Sequence, residues 1–94
     1  MTSKTSFSCG EDVDIVNVGN LYQRLQKSLQ KSYTIEIKAD KVKKADTAGL
    51  QLFATLAQEV ASKGGKLIWK NPSEALLSTT QQLGLTAILM LDSQ

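Results

Sequence analysis

The chain alternates between two hydrophobic periods. Ser6-Phe7-Ser8-Cys9 switches polar and apolar at every step, the period of a half-buried strand. Gly10 and the acidic residues Glu11, Asp12 and Asp14 break that run. Val18, Leu21, Tyr22, Leu25 and Leu29 then recur at helical spacing and predict an amphipathic helix over 16–31. Gln23, Arg24, Gln26, Lys27 and Gln30 form its wet face. Thr34 to Ala39 alternates again and predicts a second strand, followed by a basic connector from Asp40 to Ala45. Leu50, Phe53, Leu56, Ala57 and Val60 predict a second helix that stops at Lys63-Gly64-Gly65, a basic last turn followed by glycine. Lys66-Leu67-Ile68-Trp69-Lys70 reads as a third strand. Asn71-Pro72-Ser73 turns into a third helix, with Ser73 as its cap and Leu76, Leu77, Thr80 and Leu83 on its inner face. Gly84 ends it, and Ile88 to Leu91 is an apolar tail that reads as a last edge strand or a helical turn.

The predicted order is β-α-β-α-β-α-(β), an α/β fold. Strands separated by helices pair in parallel through right-handed crossovers. Parallel strands covered on both faces read as continuous apolar runs. Here Phe7/Cys9, Ile35/Ile37 and Leu67/Trp69 alternate with mostly polar neighbours, Ile68 excepted. The sheet is therefore expected to carry helices mainly on one face and to leave the other partly open.

Composition narrows the chemistry. The 94 residues are expected to form a single domain with an ordered core over about 5–91. His is absent, which removes Ser-His-Asp and Cys-His catalysis and His-ligated zinc. A single Cys excludes an internal disulfide and a CxxC pair, and fits a reducing compartment. Eleven basic residues against nine acidic ones give a net charge of +2, too balanced for a nucleic-acid binder. Met1 to Cys9 is polar, unlike a signal peptide, and no run approaches the roughly 20 apolar residues of a membrane helix. The expectation is a cytoplasmic, non-enzymatic binding or switching module that spans no membrane and uses no cofactor or metal.

The segment Lys44-Ala45-Asp46-Thr47-Ala48-Gly49-Leu50 joins the end of a strand to the start of a helix. In open α/β sheets this edge is where ligands and partners meet the fold. The plain reading makes Asp46 or Thr47 an N-cap and Gly49 a small residue that lets the helix pack close to the sheet. The functional reading makes Thr47 a phosphate acceptor. A dianion there would meet free N–H groups and the helix field, repel Asp46 and disturb any partner docked on a neutral helix end. The catalytic groups and the nucleotide would come from the partner.

Asp46-Thr47-Ala48-Gly49-Leu50 resembles the D-S/T-S/T/A/G-G-L signature of STAS domains, the anti-sigma-factor antagonist and sulfate-transporter family. Gly10-Glu11 followed by an Asp and an amphipathic helix is similar to the family's G-E-x-D opening. Gly64-Gly65-Lys66-Leu67, Ser73 at a helix start and Leu83-Gly84-Leu85 follow in the family's order, so the likeness covers most of the chain. Asp46-Thr47-Ala48-Gly49-Leu50-Gln51-Leu52 and Trp69-Lys70-Asn71-Pro72-Ser73 are most similar to small bacterial members of phospholipid-transport ABC systems or chemotaxis loci. The resemblance implies a partner switch in which an anti-sigma kinase phosphorylates Thr47 and so releases the protein. Asp46 would orient the loop and touch the partner, Gly49 would permit close approach, and Ala48, Leu50 and Gln51 would share the docking surface. It equally accommodates a constitutive adaptor that docks on a transporter ATPase or a chemotaxis component, with Thr47 as contact surface only. Nucleotide binding, suspected for some members, stays open. The family strand that usually precedes the Phe7 strand has almost no residues here, so that sheet edge is expected to be short.

A small enzyme or nucleotide-binding protein is the reading from another class, and the missing His, metal cluster and phosphate loop speak against it. Trp69 is either a core aromatic or a partly exposed anchor. Lys41, Lys43 and Lys44 are either a solvated connector or a means of steering an acidic partner or a phosphate towards Thr47. Glu11, Asp12 and Asp14 lack the spacing of a calcium loop and read as charge set against a helix N-terminus. Cys9 reads as a buried structural thiol with nothing near it to lower its pKa, and Gly64-Gly65 as a helix stop.

Overall fold

The structure is a computed structural model and describes residues 4–91. Strand β1 (Thr5–Ser8), β3 (Thr34–Lys38) and β5 (Lys66–Lys70) form a parallel sheet in the order β1-β3-β5. Helices α1 (Val18–Lys31), α2 (Thr47–Ser62) and α3 (Glu74–Gln82) supply the crossovers and a last cover. A second, two-stranded parallel sheet joins β2 (Asp12–Val13) to β4 (Lys44–Ala45). The sequence pattern did not reveal this pair. Two residues are too few to show a period, and β4 occupies the end of what reads as a plain basic connector.

The alternation in the strands becomes a two-faced sheet. Phe7, Ile35, Ile37, Leu67 and Trp69 are buried on the helical side. Ser6, Ser8, Lys38, Lys66 and Lys70 are exposed on the other side, with Thr34, Glu36 and Ile68 half-buried. Phe53 of α2 sits at the middle of the core. Its ring meets Phe7 edge-on at 6.3 Å between centroids and Trp69 tilted at 5.5 Å, so one aromatic ties α2 to both edge strands. Arg24 of α1 lies 4.6 Å over the Phe7 ring and donates to the Ser8 carbonyl, covering part of the β1 edge. Beyond β1, Met1 to Ser3 lie outside the described residues, and with them the question of a preceding strand.

The first helix begins at Val18 rather than at residue 16, because Asp14 Oδ1 accepts from the Asn17 backbone N–H (3.2 Å) and side-chain amide (2.8 Å), closing a turn over 15–17. Asp14 thus acts on a turn, and the first turn of α1 itself carries no acidic residue. Tyr22 is 52 % exposed although its spacing places it inward: α1 buries the stripe of Leu21, Leu25 and Leu29, and Tyr22 is left at the rim of the groove between α1 and α2. On α3 the inner face reduces to Leu76 and Thr80, whose hydroxyl donates to the Leu76 carbonyl, and Leu77 and Leu83 face solvent. Leu85, Leu89 and Leu91 fill the core in their place. They ride on helical turns, with Leu89 N–H bonded to the Leu85 carbonyl and Met90 N–H to that of Ala87. The tail is therefore no strand. It closes the β5 side by accepting the Trp69 indole N–H on the Leu89 carbonyl at 2.7 Å in a buried position. Trp69 is a core residue, 3 % exposed.

Gly65 is forced by packing: a Cβ there would lie 1.9 Å from the Tyr33 carbonyl oxygen. Gly64 before it takes φ +82°, the left-handed turn that a helix stop requires.

Two outcomes test this packing. Phe53→Ala removes the ring shared by both edge strands and is expected to cost about 3–5 kcal/mol in chemical denaturation. Cys9 is buried, and burial pushes its thiol up to about 12, with the Arg24 charge opposing only weakly. It should resist a disulfide-exchange reagent at neutral pH in the folded protein and react at once in denaturant.

Candidate functional site

The strand-to-helix junction at Asp46 gathers three separate parts of the chain. Asp46 is the N-cap of α2, with extended backbone angles (φ −127°, ψ 178°). Its Oδ1 accepts from the Gly49 N–H at 2.9 Å, the usual capping bond. Its Oδ2 accepts from the Ile15 N–H at 3.0 Å, thirty-one residues away in sequence. The Asp46 backbone N–H donates in turn to the Val13 carbonyl at 3.1 Å. One residue therefore clamps the 13–15 segment onto the start of α2.

Gly49 completes the clamp. A Cβ at this position would sit 2.1 Å from the Val13 carbonyl oxygen, so any side chain would push the helix off the β2 segment. Leu50 is fully buried and anchors the first turn in the core. Gly49 and Leu50, expected from the resemblance to share the docking surface, are buried and build the junction instead, and the capping role read from the sequence falls to Asp46.

Thr47 is the first residue of α2 and is exposed. Ala48 is half-buried and Gln51 is exposed, so the six candidate positions divide into an outer set (Thr47, Ala48, Gln51) and an inner set (Asp46, Gly49, Leu50). The hydrogen bonds from Gly49 and Ile15 hold the Asp46 carboxyl below the usual carboxylate range, against a smaller opposing effect of desolvation. Asp46 thus stays ionised beside Thr47 at any physiological pH.

The structure adds two residues that the sequence pattern missed. Ile15 is 62 % exposed and Val16 84 % exposed, on the turn that Asp46 holds. They are the two most exposed large hydrophobic residues among those described, and they are adjacent in the chain. Val16 reads from the sequence as the first residue of the predicted 16–31 helix, and Ile15 falls just ahead of it. Tyr22, one further turn along α1, joins Leu52, Thr55 and Glu59 of α2 around a shallow groove between the helices.

The lysines before the junction are exposed. Lys43 and Lys44 use their backbone N–H groups on the Glu11 carbonyl, at 2.7 and 3.1 Å, and the Lys43 ammonium is 3.9 Å from the Glu11 carboxylate. Among the described residues no group of three or more His, Cys, Asp or Glu side chains is arranged to hold a metal ion, and no helix is long and apolar enough to cross a membrane.

The comparisons with known proteins agree with this architecture. The family model described as Mlab, STAS domain, matches residues 5–92, and the chain belongs to the STAS family. No curated protein matches the sequence significantly. The solved structure of the anti-sigma factor antagonist SpoIIAA in its unphosphorylated form superposes with a TM-score of 0.74 at 20 % identity, covering 93 % of this chain and 78 % of that one. The NMR structure of the protein TM1081 gives a TM-score of 0.74 at 17 % identity, covering 89 % of this chain and 69 % of that one. At these identities the likeness is one of fold: a small α/β domain with three helices and a parallel sheet.

The clamp has a pH signature. Because the Asp46 pKa is lowered in the folded state, its contribution to stability is complete above the unfolded carboxylate value, about 3.9, and is lost as pH falls through the lower folded value. Asp46→Asn should lower the melting temperature at neutral pH and flatten the acid limb of a stability-versus-pH curve. An unchanged acid limb would show that the carboxylate does not hold the junction.

Proposed function

We propose that the protein is a regulatory binding module of the STAS type whose contact surface is the start of α2 with the adjoining 15–16 turn, and that it is switched by phosphorylation of Thr47. The observation that carries this reading is the position of Thr47: an exposed hydroxyl-bearing residue at the first position of α2, directly after an ionised N-cap. A kinase partner would bring ATP. Its γ-phosphoryl would pass to Thr47 Oγ1, with loss of the hydroxyl proton and release of ADP.

The consequences follow from charge. The unmodified helix start carries one negative charge, the Asp46 carboxylate, which two N–H groups hold and the positive end of the helix dipole partly offsets. A phosphate adds a charge of about −1.5 to −2. It competes with Asp46 for the helix N–H groups and repels its carboxylate, which weakens the bond that holds Ile15. A partner seated on Thr47, Ala48, Gln51 and the apolar Ile15–Val16 turn would then meet added negative charge and lose its apolar contact.

The second reading, a constitutive adaptor on a transporter ATPase or a chemotaxis component, is favoured by that same exposed apolar pair. Such a surface suits a lasting contact, and the small side chain of half-buried Ala48 permits close approach with no need for modification. Both readings place the protein in the cytoplasm, where an ATP-dependent partner operates. Neither requires catalysis, a metal or a cofactor on this chain.

Intact-mass measurement on protein purified from its own host separates them. The switch reading expects a fraction heavier by one phosphate that disappears in Thr47→Ala, and a partner co-purifying with Thr47→Ala but lost from Thr47→Glu. Absence of a modified fraction in every growth condition leaves the adaptor. Partner capture that ignores both Thr47 variants and Val16→Asp overturns the whole assignment of this surface.

A further inference from the structure

The sheet's open face gathers charge that the Thr47 surface does not use. Parallel register aligns Ser8, Lys38 and Lys70 in one row across β1, β3 and β5, and Ser6, Glu36 and Ile68 in the next. Thr34 and Lys66 form a third row across β3 and β5. Lys4 reaches in from before β1 and donates to Glu36 Oε2 at 2.9 Å, while the Lys70 ammonium lies 3.9 Å from the same oxygen. Among the described residues, Glu36 is the one carboxylate set between these lysines on the strands of this face.

The imbalance is large for so small a chain. Lys4, Lys38, Lys66 and Lys70 against Glu36 give the face a net +3, while the whole protein carries +2, so everything else sums to −1. Like charges opposite one another across a sheet are destabilising. Lys38 and Lys70 are directly opposite and both exposed. The fold tolerates that repulsion without a second acid to relieve it.

The chemistry of the patch says what it suits. All four cations are lysines, compact point charges without the planar fork that reads a carboxylate or phosphate in two directions. None of the strand residues on this face is aromatic, so there is no platform for stacking bases. Ser6 and Ser8 are small, and Ile68 is the one large apolar residue, half-buried between Glu36 and the sheet edge. Such an array matches a diffuse field of negative charge spread over a plane rather than a shaped acidic epitope. We infer that the open face, through Lys4, Lys38, Lys66 and Lys70, is a peripheral docking surface for an anionic phospholipid bilayer, leaving the helical face turned away and free for a protein partner.

The test is sedimentation of the full chain with vesicles of phosphatidylglycerol mixed with phosphatidylcholine, compared with vesicles of phosphatidylcholine alone. Binding is expected on the anionic vesicles only and should fall steeply as salt is raised. At about 1 kcal/mol per lysine near an anionic surface, Lys38→Gln with Lys70→Gln should lower the partition coefficient roughly 30-fold. Both residues are exposed, so the double variant should keep the wild-type circular dichroism spectrum. Lys27→Gln with Lys31→Gln, an equal loss of charge on exposed α1 positions, should leave binding within about twofold, which distinguishes the face from net charge. Thr47→Ala should bind vesicles like the wild type, so this result stands or falls separately from the phosphorylation assay. No sedimentation with anionic vesicles, or equal loss in both double variants, overturns the inference. So does soluble poly-glutamate binding through Lys38 and Lys70 while vesicles stay unbound, which would assign the face to an acidic protein.

Discussion

A single carboxylate placed between two chain segments organises the start of α2 and the turn beside it. Asp46 gives one oxygen to the Gly49 N–H and the other to the Ile15 N–H. The first bond starts α2, and the second fixes how the chain enters α1. Because Gly49 has no side chain, the Val13 carbonyl can approach where a Cβ would otherwise stand, and the short β2-β4 pair forms against the helix start. Removing either element leaves the other without its partner: the cap needs the close approach, and the close approach needs the cap to aim the helix. Residues that look like recognition elements in a motif are thus the ones that build the surface, with Thr47, Ala48 and Gln51 presented on top of them.

The rest of the architecture follows from asymmetry in the sheet. Strand alternation commits Phe7, Ile35, Ile37, Leu67 and Trp69 to one side, where Phe53 bridges both edge strands through aromatic contacts. Apolar burial on that side is the dominant driving force. The other side is left to polar residues, and the same register that aligns the core aligns Lys38 with Lys70 and surrounds Glu36 with lysines. The domain therefore has two unlike surfaces: a helical one with Thr47 and the apolar Ile15–Val16 turn exposed at the start of α2, and a basic one on the sheet. A protein with both can meet two different classes of neighbour at once.

Much of this was legible in advance because it rests on local periodicity. Three alternating strands, three helices, the parallel connection and the one-sided cover are all consequences of spacing, and each appears in the structure. The junction from Asp46 to Gln51 was legible too, since a contiguous motif needs no folding to be seen. What escaped was set by contacts distant in sequence. The β2-β4 pair is two residues on each side and has no period of its own. Tyr22, Leu77 and Leu83 lie on apolar stripes, but a helix buries only the part of its stripe that a neighbour covers. Val16 looks like the beginning of a helix until Asp14 is seen to close a turn over 15–17.

The sequence by itself determined the class of fold, the inward and outward sides of each strand, and the motif that places Thr47 at a helix start. It could do so because side-chain period, turn residues and capping chemistry act within a few positions of the chain. Only the tertiary structure decided that the second Asp46 oxygen reaches across thirty-one residues to Ile15, that Trp69 spends its indole N–H on Leu89, and that lysines from three separate segments share one face. Those outcomes depend on which surfaces meet once the apolar stripes are buried, and geometry of that kind exists only in the folded chain.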